Sequence, residues 1–133
     1  MKPIIDGIVA KVETSNPFNT AIGGRFIYDE ARQSETFPYA VIFTLDMDFS
    51  WTFGSNIINN LNQIRCISKA RDAEEIEDIR TKLLALLDYK TTTLTVTGYN
   101  FIFIKQISED GPTRIDNAWN YNVRYEVEVE KSD

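Results

Sequence analysis

The sequence of 133 residues contains no histidine, a single cysteine and no long apolar run. Each absence excludes something. Histidine is the commonest general base, metal ligand and triad member, so its absence weighs against enzymatic chemistry. Cys66 alone cannot close an internal disulfide, which fits a reducing compartment, and in its strand-like apolar surroundings it reads as packing. A membrane-spanning helix needs roughly 20 apolar residues, so no membrane partner is expected. The opening "MKPIIDGIVAKVE" acquires charge too early for a signal peptide, and synthesis in the cytoplasm is expected. Glycine-rich phosphate loops, Cys-x-x-Cys and Gly-x-Ser-x-Gly are also missing. Fourteen Lys and Arg face twenty Asp and Glu, for a net charge of −6. The cations are scattered, whereas tight binding of free nucleic acid rests on clustered ones.

What is present has the balance of an ordinary globular protein, 43% hydrophobic and 26% charged. One domain over residues 1–133 is expected, long enough for one core and too short for two. Ile4, Ile5, Ile8, Val9 and Val12 recur at helical spacing. Pro3 suits the first turn, and Gly7 costs this helix about 1 kcal/mol relative to alanine. "SNPFNTAIGG" reads as a loop, "RFIYDE" as a short strand and "ARQSET" as a second loop. Residues 57–68 carry apolar side chains on both parities and read as a strand with both faces partly covered. Asp72 and Glu75 fit a capping box. The helix they open buries Ile76, Ile79, Leu83, Leu86 and Leu87 and ends near Asp88. "TTTLTVTGYNFIFIKQIS" suggests two strands joined at Gly98, the second apolar on both parities and therefore central. "EDGPTRIDNA" reads as a loop, and "WNYNVRYEVEVEK" as a strictly alternating strand. The expected class is α+β: a mainly antiparallel sheet with two helices packed on one face.

The longest signal lies between Tyr39 and Phe53. Tyr39, Val41, Phe43, Leu45, Met47, Phe49, Trp51 and Phe53 all occupy odd positions, one stripe if the run is a regular strand. At about 3.3 Å per residue it would reach about 50 Å, against a diameter of about 36 Å for a compact chain of this size. It is expected either to bend back near Asp46–Ser50 into a hairpin with residues 57–68 or to project. Phe49, Trp51 and Phe53 then lie far from the sheet centre and expose about 500 Å², more than a soluble monomer tolerates as one patch. A loop or the first helix could cover them. Another molecule is the alternative: burial yields about 12 kcal/mol gross, of which association consumes about 4–15 kcal/mol. One such contact is marginal, and a closed ring that repeats it is stable. Phe49, Trp51 and Phe53 are the candidate interface.

Carboxylates form two rows. Asp46 and Asp48 share one face of a strand, a spacing used by some divalent-metal sites, but no further ligand is indicated. Glu126, Glu128 and Glu130 line the polar side of the last strand, where like charges repel and turn to water. Asp88-Tyr89-Lys90 faintly resembles the end of a nuclease motif and lacks an acidic partner.

The order of these features resembles the tail-terminator, or tail-completion, proteins of long-tailed bacteriophages and prophages. "RFIYDEARQ" leads to Phe37-Pro38-Tyr39-Ala40-Val41. "QIRCISKARDAEEIEDIRTKLLALLD" is a strand feeding an acidic-capped helix. Gly98-Tyr99 precedes a strand, Gly111-Pro112 sits in the last loop, and Trp119 is followed by Tyr125 in the final strand. The similarity extends from the first helix to Glu130. It implies a virion protein forming a ring, a hexamer in that family, at the head-proximal end of the tail. Such a ring ends tail-tube polymerisation and joins the head, without catalytic residues or cofactor. Its partners would be further copies of itself, the tail-tube protein and a head-completion protein. DNA would traverse the channel without tight binding, which suits an acidic chain. The row Glu126, Glu128, Glu130 or the pair Asp46, Asp48 would line that lumen. The alternatives are a head-completion or neck protein, or a metal-dependent nucleic-acid enzyme relying on Asp46 or Asp48.

Overall fold

The computed structural model describes residues 2–28, 36–52 and 55–132 and, within these, the side chains of all but 47–52 and 55. The elements run α1 (Lys2–Val12), α2 (Pro17–Ala21), β1 (Phe26–Tyr28), β2 (Tyr39–Thr52), β3 (Ser55–Ser68), α3 (Glu74–Leu86), β4 (Tyr99–Ile115) and β5 (Ala118–Lys131). The sheet has the order β1-β2-β3-β5-β4, with β1 parallel to β2 and every other pair antiparallel.

Period decides which residues enter the core. On β5 the odd residues Tyr121, Val123, Tyr125, Val127 and Val129 are buried, and on β3 the even residues Ile58, Ile64 and Cys66. They join Ile4, Ile5, Ile8 and Val12 of α1, Phe18 of α2 and Ile76, Ile79 and Leu83 of α3 in one cluster. Each fully buried aliphatic contributes about 1.5–3 kcal/mol. The helices therefore share one face, and the α+β expectation holds.

Several expectations fail for identifiable reasons. "SNPFNTAIGG" is not only a loop. Asn16 accepts from the Asn19 N–H at 2.8 Å while its amide donates to the Val12 carbonyl at 2.8 Å, so one side chain ends α1 and starts α2. Pro17 occupies the first turn of α2. The capping box before α3 does not form. Asp72 accepts from the Glu74 N–H at 3.1 Å, and Glu75 accepts from the Ser68 hydroxyl at 2.7 Å. Residues 92–97 alternate as expected, with Thr92, Leu94 and Val96 buried, but they pair with no described strand.

Strand β4 is an edge strand, not a central one. Its ladder with β5 slips between Phe101 and Phe103, Gln106 and Ser108, and Asp110 and Thr113. Each slip is a bulge that resets the side-chain parity, so apolar residues of both parities do not mean two buried faces. The stretch read as a loop around Gly111-Pro112 belongs to β4. The reversal comes later, at Asp116 and Asn117, whose φ of 49° and 64° are those of a two-residue hairpin turn.

The stripe on β2 is broken as well. Thr44 lies opposite Asn62 and Asp46 opposite Leu61, which leaves Leu45 as an extra residue. Before this bulge the core takes the even residues Ala40 and Ile42, while Tyr39 and Val41 are buried outside that cluster. After it the parity inverts, and Phe49 lies opposite the core residue Ile58. The strand does not bend back at Asp46–Ser50. It continues to Thr52, whose partner is Ser55.

Candidate functional site

The sheet face away from the helices collects the polar residues of the alternating strands. On β5 these are Asn122, Arg124, Glu126, Glu128 and Glu130, each half-buried. Across the sheet, one row runs Asp46, Leu61, Glu126, Lys105, and the next runs Asp48, Asn59, Glu128, Phe103. The Leu45 bulge thus brings both acidic rows named from the sequence to one open face, two strand spacings or about 10 Å apart. Glu126 pairs with Lys105 at 3.6 Å. The other end of the face is basic: Arg65 donates to Asn122 at 2.9 Å, which also accepts from Gln63 at 2.8 Å, and Arg124 pairs with Asp110 at 2.8 Å. The result is a surface graded in charge.

Two of the three aromatic candidates lie on β2 toward the end of its pairing with β3. Phe49 and Trp51 occupy register positions opposite Ile58 and Asn56, with side chains outside the described set. Phe53 lies outside the described residues altogether.

Two polar clusters were not anticipated. Beneath the hairpin, Asn60 and Asn62 are fully buried. The Asn62 side-chain amide donates to the Asn60 side-chain oxygen at 2.8 Å, the Thr44 hydroxyl donates to the Asn62 side-chain oxygen at 3.1 Å, and the Asn60 side-chain amide donates to the Asp46 main-chain carbonyl at 3.3 Å. Asparagine pairs in an otherwise apolar strand were the available signal. Where α3 meets the sheet, Glu109 accepts from Arg80 at 3.0 and 2.6 Å and from the Tyr121 hydroxyl at 2.5 Å. Hydrogen bonds from Arg80 and then Tyr121 hold the Glu109 carboxyl below its usual range. Burial, then the bond to Glu109, pushes the Tyr121 hydroxyl up. This clip ties a helix to an edge strand through a charge-assisted pair.

Burial alone also raises the Cys66 thiol, which suppresses its thiolate. Among the described residues no three His, Cys, Asp or Glu converge as a metal site would require, and no helix is long and apolar enough to cross a membrane. A groove of about 420 Å³ between α1, α2 and α3, lined by Lys11, Pro17, Lys82 and Leu86 among others, lacks a convergent polar set. What this arrangement offers is surfaces.

No family model matches the chain, and no curated protein matches it in sequence. Among solved structures, the fold is similar to that of a chain in the virion of a native gene transfer agent particle. The TM-score is 0.79 at 9% identity, and the match covers 94% of this chain and 92% of that one. At this identity the likeness is one of fold, and it extends over nearly the whole of both chains.

Proposed function

We propose that this chain is a structural protein of a phage-like virion. In this role it forms a ring at the head-proximal end of the tail, ends tail-tube polymerisation and provides the surface to which the head joins. The carrying observation is the near-complete fold match to a chain of a gene transfer agent virion. The open acidic face is consistent with it: a channel wall bearing Asp46, Asp48, Glu126, Glu128 and Glu130 repels phosphate and lets DNA pass. The end of the β2–β3 hairpin, where Phe49 and Trp51 hold register positions, is then the surface for the next component along the tail axis.

Light scattering and negative-stain imaging of concentrated protein, alone and with its tube protein, test this. A ring-shaped species several-fold above the 15.3 kDa chain is expected. A particle that stays at 15.3 kDa under both conditions overturns the proposal. Labelling in the intact particle separates a tail terminator from a head-completion or neck protein. Replacing Trp51 and Phe53 by serine should block joining to the tube and leave the fold intact; an unfolded variant would return both residues to the core.

A further inference from the structure

We propose that the cleft between the C-terminal end of α3 and strand β4 receives an arginine side chain of a partner protein. This site is separate from the ring described above and does not depend on it. The cleft has a volume of about 430 Å³, within the range of ligand pockets. Leu87 and Tyr125 line its buried end, at 2% and 1% exposure, and half-buried Leu84 continues the apolar wall. Asp88, Tyr89, Lys105 and Gln106 line it where it meets solvent, and all four are exposed.

The Tyr125 hydroxyl is the decisive group. It is buried and has no hydrogen-bond partner. Buried polar groups are nearly always bonded, so an orphan lining a cleft points to a group supplied from outside. Burial first, then Cys66, Glu109 and Asp88, pushes this hydroxyl up. It stays neutral, with lone pairs to offer, near two carboxylates. Glu109 is already tied to Arg80. Asp88 accepts from the Lys90 main-chain N–H at 2.9 Å and enters no ion pair among the described residues. Helix α3 has no basic residue in its last turn, so the negative end of its dipole is not matched from within the helix. Lys105 also lines the cleft, but its ammonium is taken up by Glu126 at 3.6 Å and by the Phe103 ring at 5.1 Å. The cleft therefore selects a cation.

Arginine fits better than lysine. The acceptors come from three elements: Tyr125 of β5, Gln106 of β4 and Asp88 beyond α3. A guanidinium offers five N–H donors in a planar fork and stacks on an aromatic face such as the exposed Tyr89 ring, whereas an ammonium is a point charge. Its methylene stem suits Leu84 and Leu87. The source is a protein because apolar surface borders the cleft. Exposed Ile102 and Ile107 lie on β4, the edge strand, and Tyr89 stands edge-on to Phe103 of the same strand at 6.2 Å between ring centroids. A free cation leaves that surface in water, and a polypeptide carrying an arginine covers it.

The test titrates an end-blocked Gly-Arg-Gly peptide into the wild type and follows main-chain amide shifts by NMR. Saturable shifts centred on residues 84–90 and 105–106 are expected, with the Gly-Lys-Gly peptide several-fold weaker and Gly-Glu-Gly without effect. Asp88→Asn and Tyr125→Phe should each weaken the arginine peptide several-fold, and Lys105→Gln should tighten it. Since the Tyr125 hydroxyl makes no bond in the free protein, Tyr125→Phe should not lower the melting temperature; a marked fall would show a partner already present and remove the premise. No shift with the arginine peptide, or equal shifts with the glutamate one, overturns the proposal. Tighter binding of free n-butylguanidinium than of the peptide overturns the assignment to a protein. If Tyr125→Phe fails to fold, Asp88→Asn, at an exposed position, carries the test.

Discussion

The side-chain amide of Asn60 donates to the main-chain carbonyl of Asp46 at 3.3 Å, so a fully buried asparagine on β3 holds the bulge of β2. A bulge frees backbone groups from the ladder, and a freed group beneath a packed face is costly unless it is bonded. Asn62 and Thr44 extend the same network. Replacing Asn60 by alanine removes one hydrogen bond from the Asp46 carbonyl and one from the Asn62 amide. It should destabilise the fold by about 1–3 kcal/mol, seen in urea as a lower midpoint at unchanged slope.

Glu109 makes stability depend on acid. Its folded carboxyl lies below the usual value, held there by Arg80 and Tyr121. The contribution is therefore complete above the ordinary glutamate range and is lost as pH falls from that range through the lowered folded value. Glu109→Gln should lose about 1–3 kcal/mol near neutrality. The gap to the wild type should narrow in acid. A constant gap from pH 7 to pH 3 would show that the carboxylate charge is not what ties α3 to β4.

Gly7 in α1 has a neighbour that accounts for it. A Cβ built there would stand 2.8 Å from the backbone oxygen of Thr95. Alanine in an exposed helix interior would gain up to about 1 kcal/mol over glycine. Here it must push α1 off residues 92–97. Gly7→Ala is expected to lower the melting temperature, and a rise would mean that the segment yields freely.

The acidic face should govern contact with DNA. Changing Glu126, Glu128 and Glu130 to lysine adds six charges and brings the formal net charge from −6 to 0. A gel-shift assay should show no DNA retardation by the wild type. The triple variant should retard DNA at low salt and lose that binding toward about 0.2 M. Equal behaviour of the two proteins would remove the electrostatic reason for this face to line a channel.

Much of the fold is legible along the chain. The stripes of α1 and α3 and the alternation of β5 follow from the covalent period alone, and they match the residues buried in the core. The misreadings share one cause. Residues 92–97 alternate like a strand yet find no described partner. Tyr99 to Ile104 look doubly buried because bulges shift their parity. The β2 stripe looks continuous because nothing in its own residues announces that Asn60, fourteen positions beyond Asp46, will hold a bulge at Leu45.

The sequence by itself determined the helical and alternating periods, the acidic balance, the lack of histidine and the isolation of Cys66, since these are properties of composition and local order. Only the tertiary structure decided that Asp46 and Asp48 share a face with Glu126, Glu128 and Glu130, and that β4 lies at an edge of the sheet. Those depend on hydrogen bonds between strands remote in the chain. One inserted residue inverts a face there, and pairing order alone separates an edge from a centre.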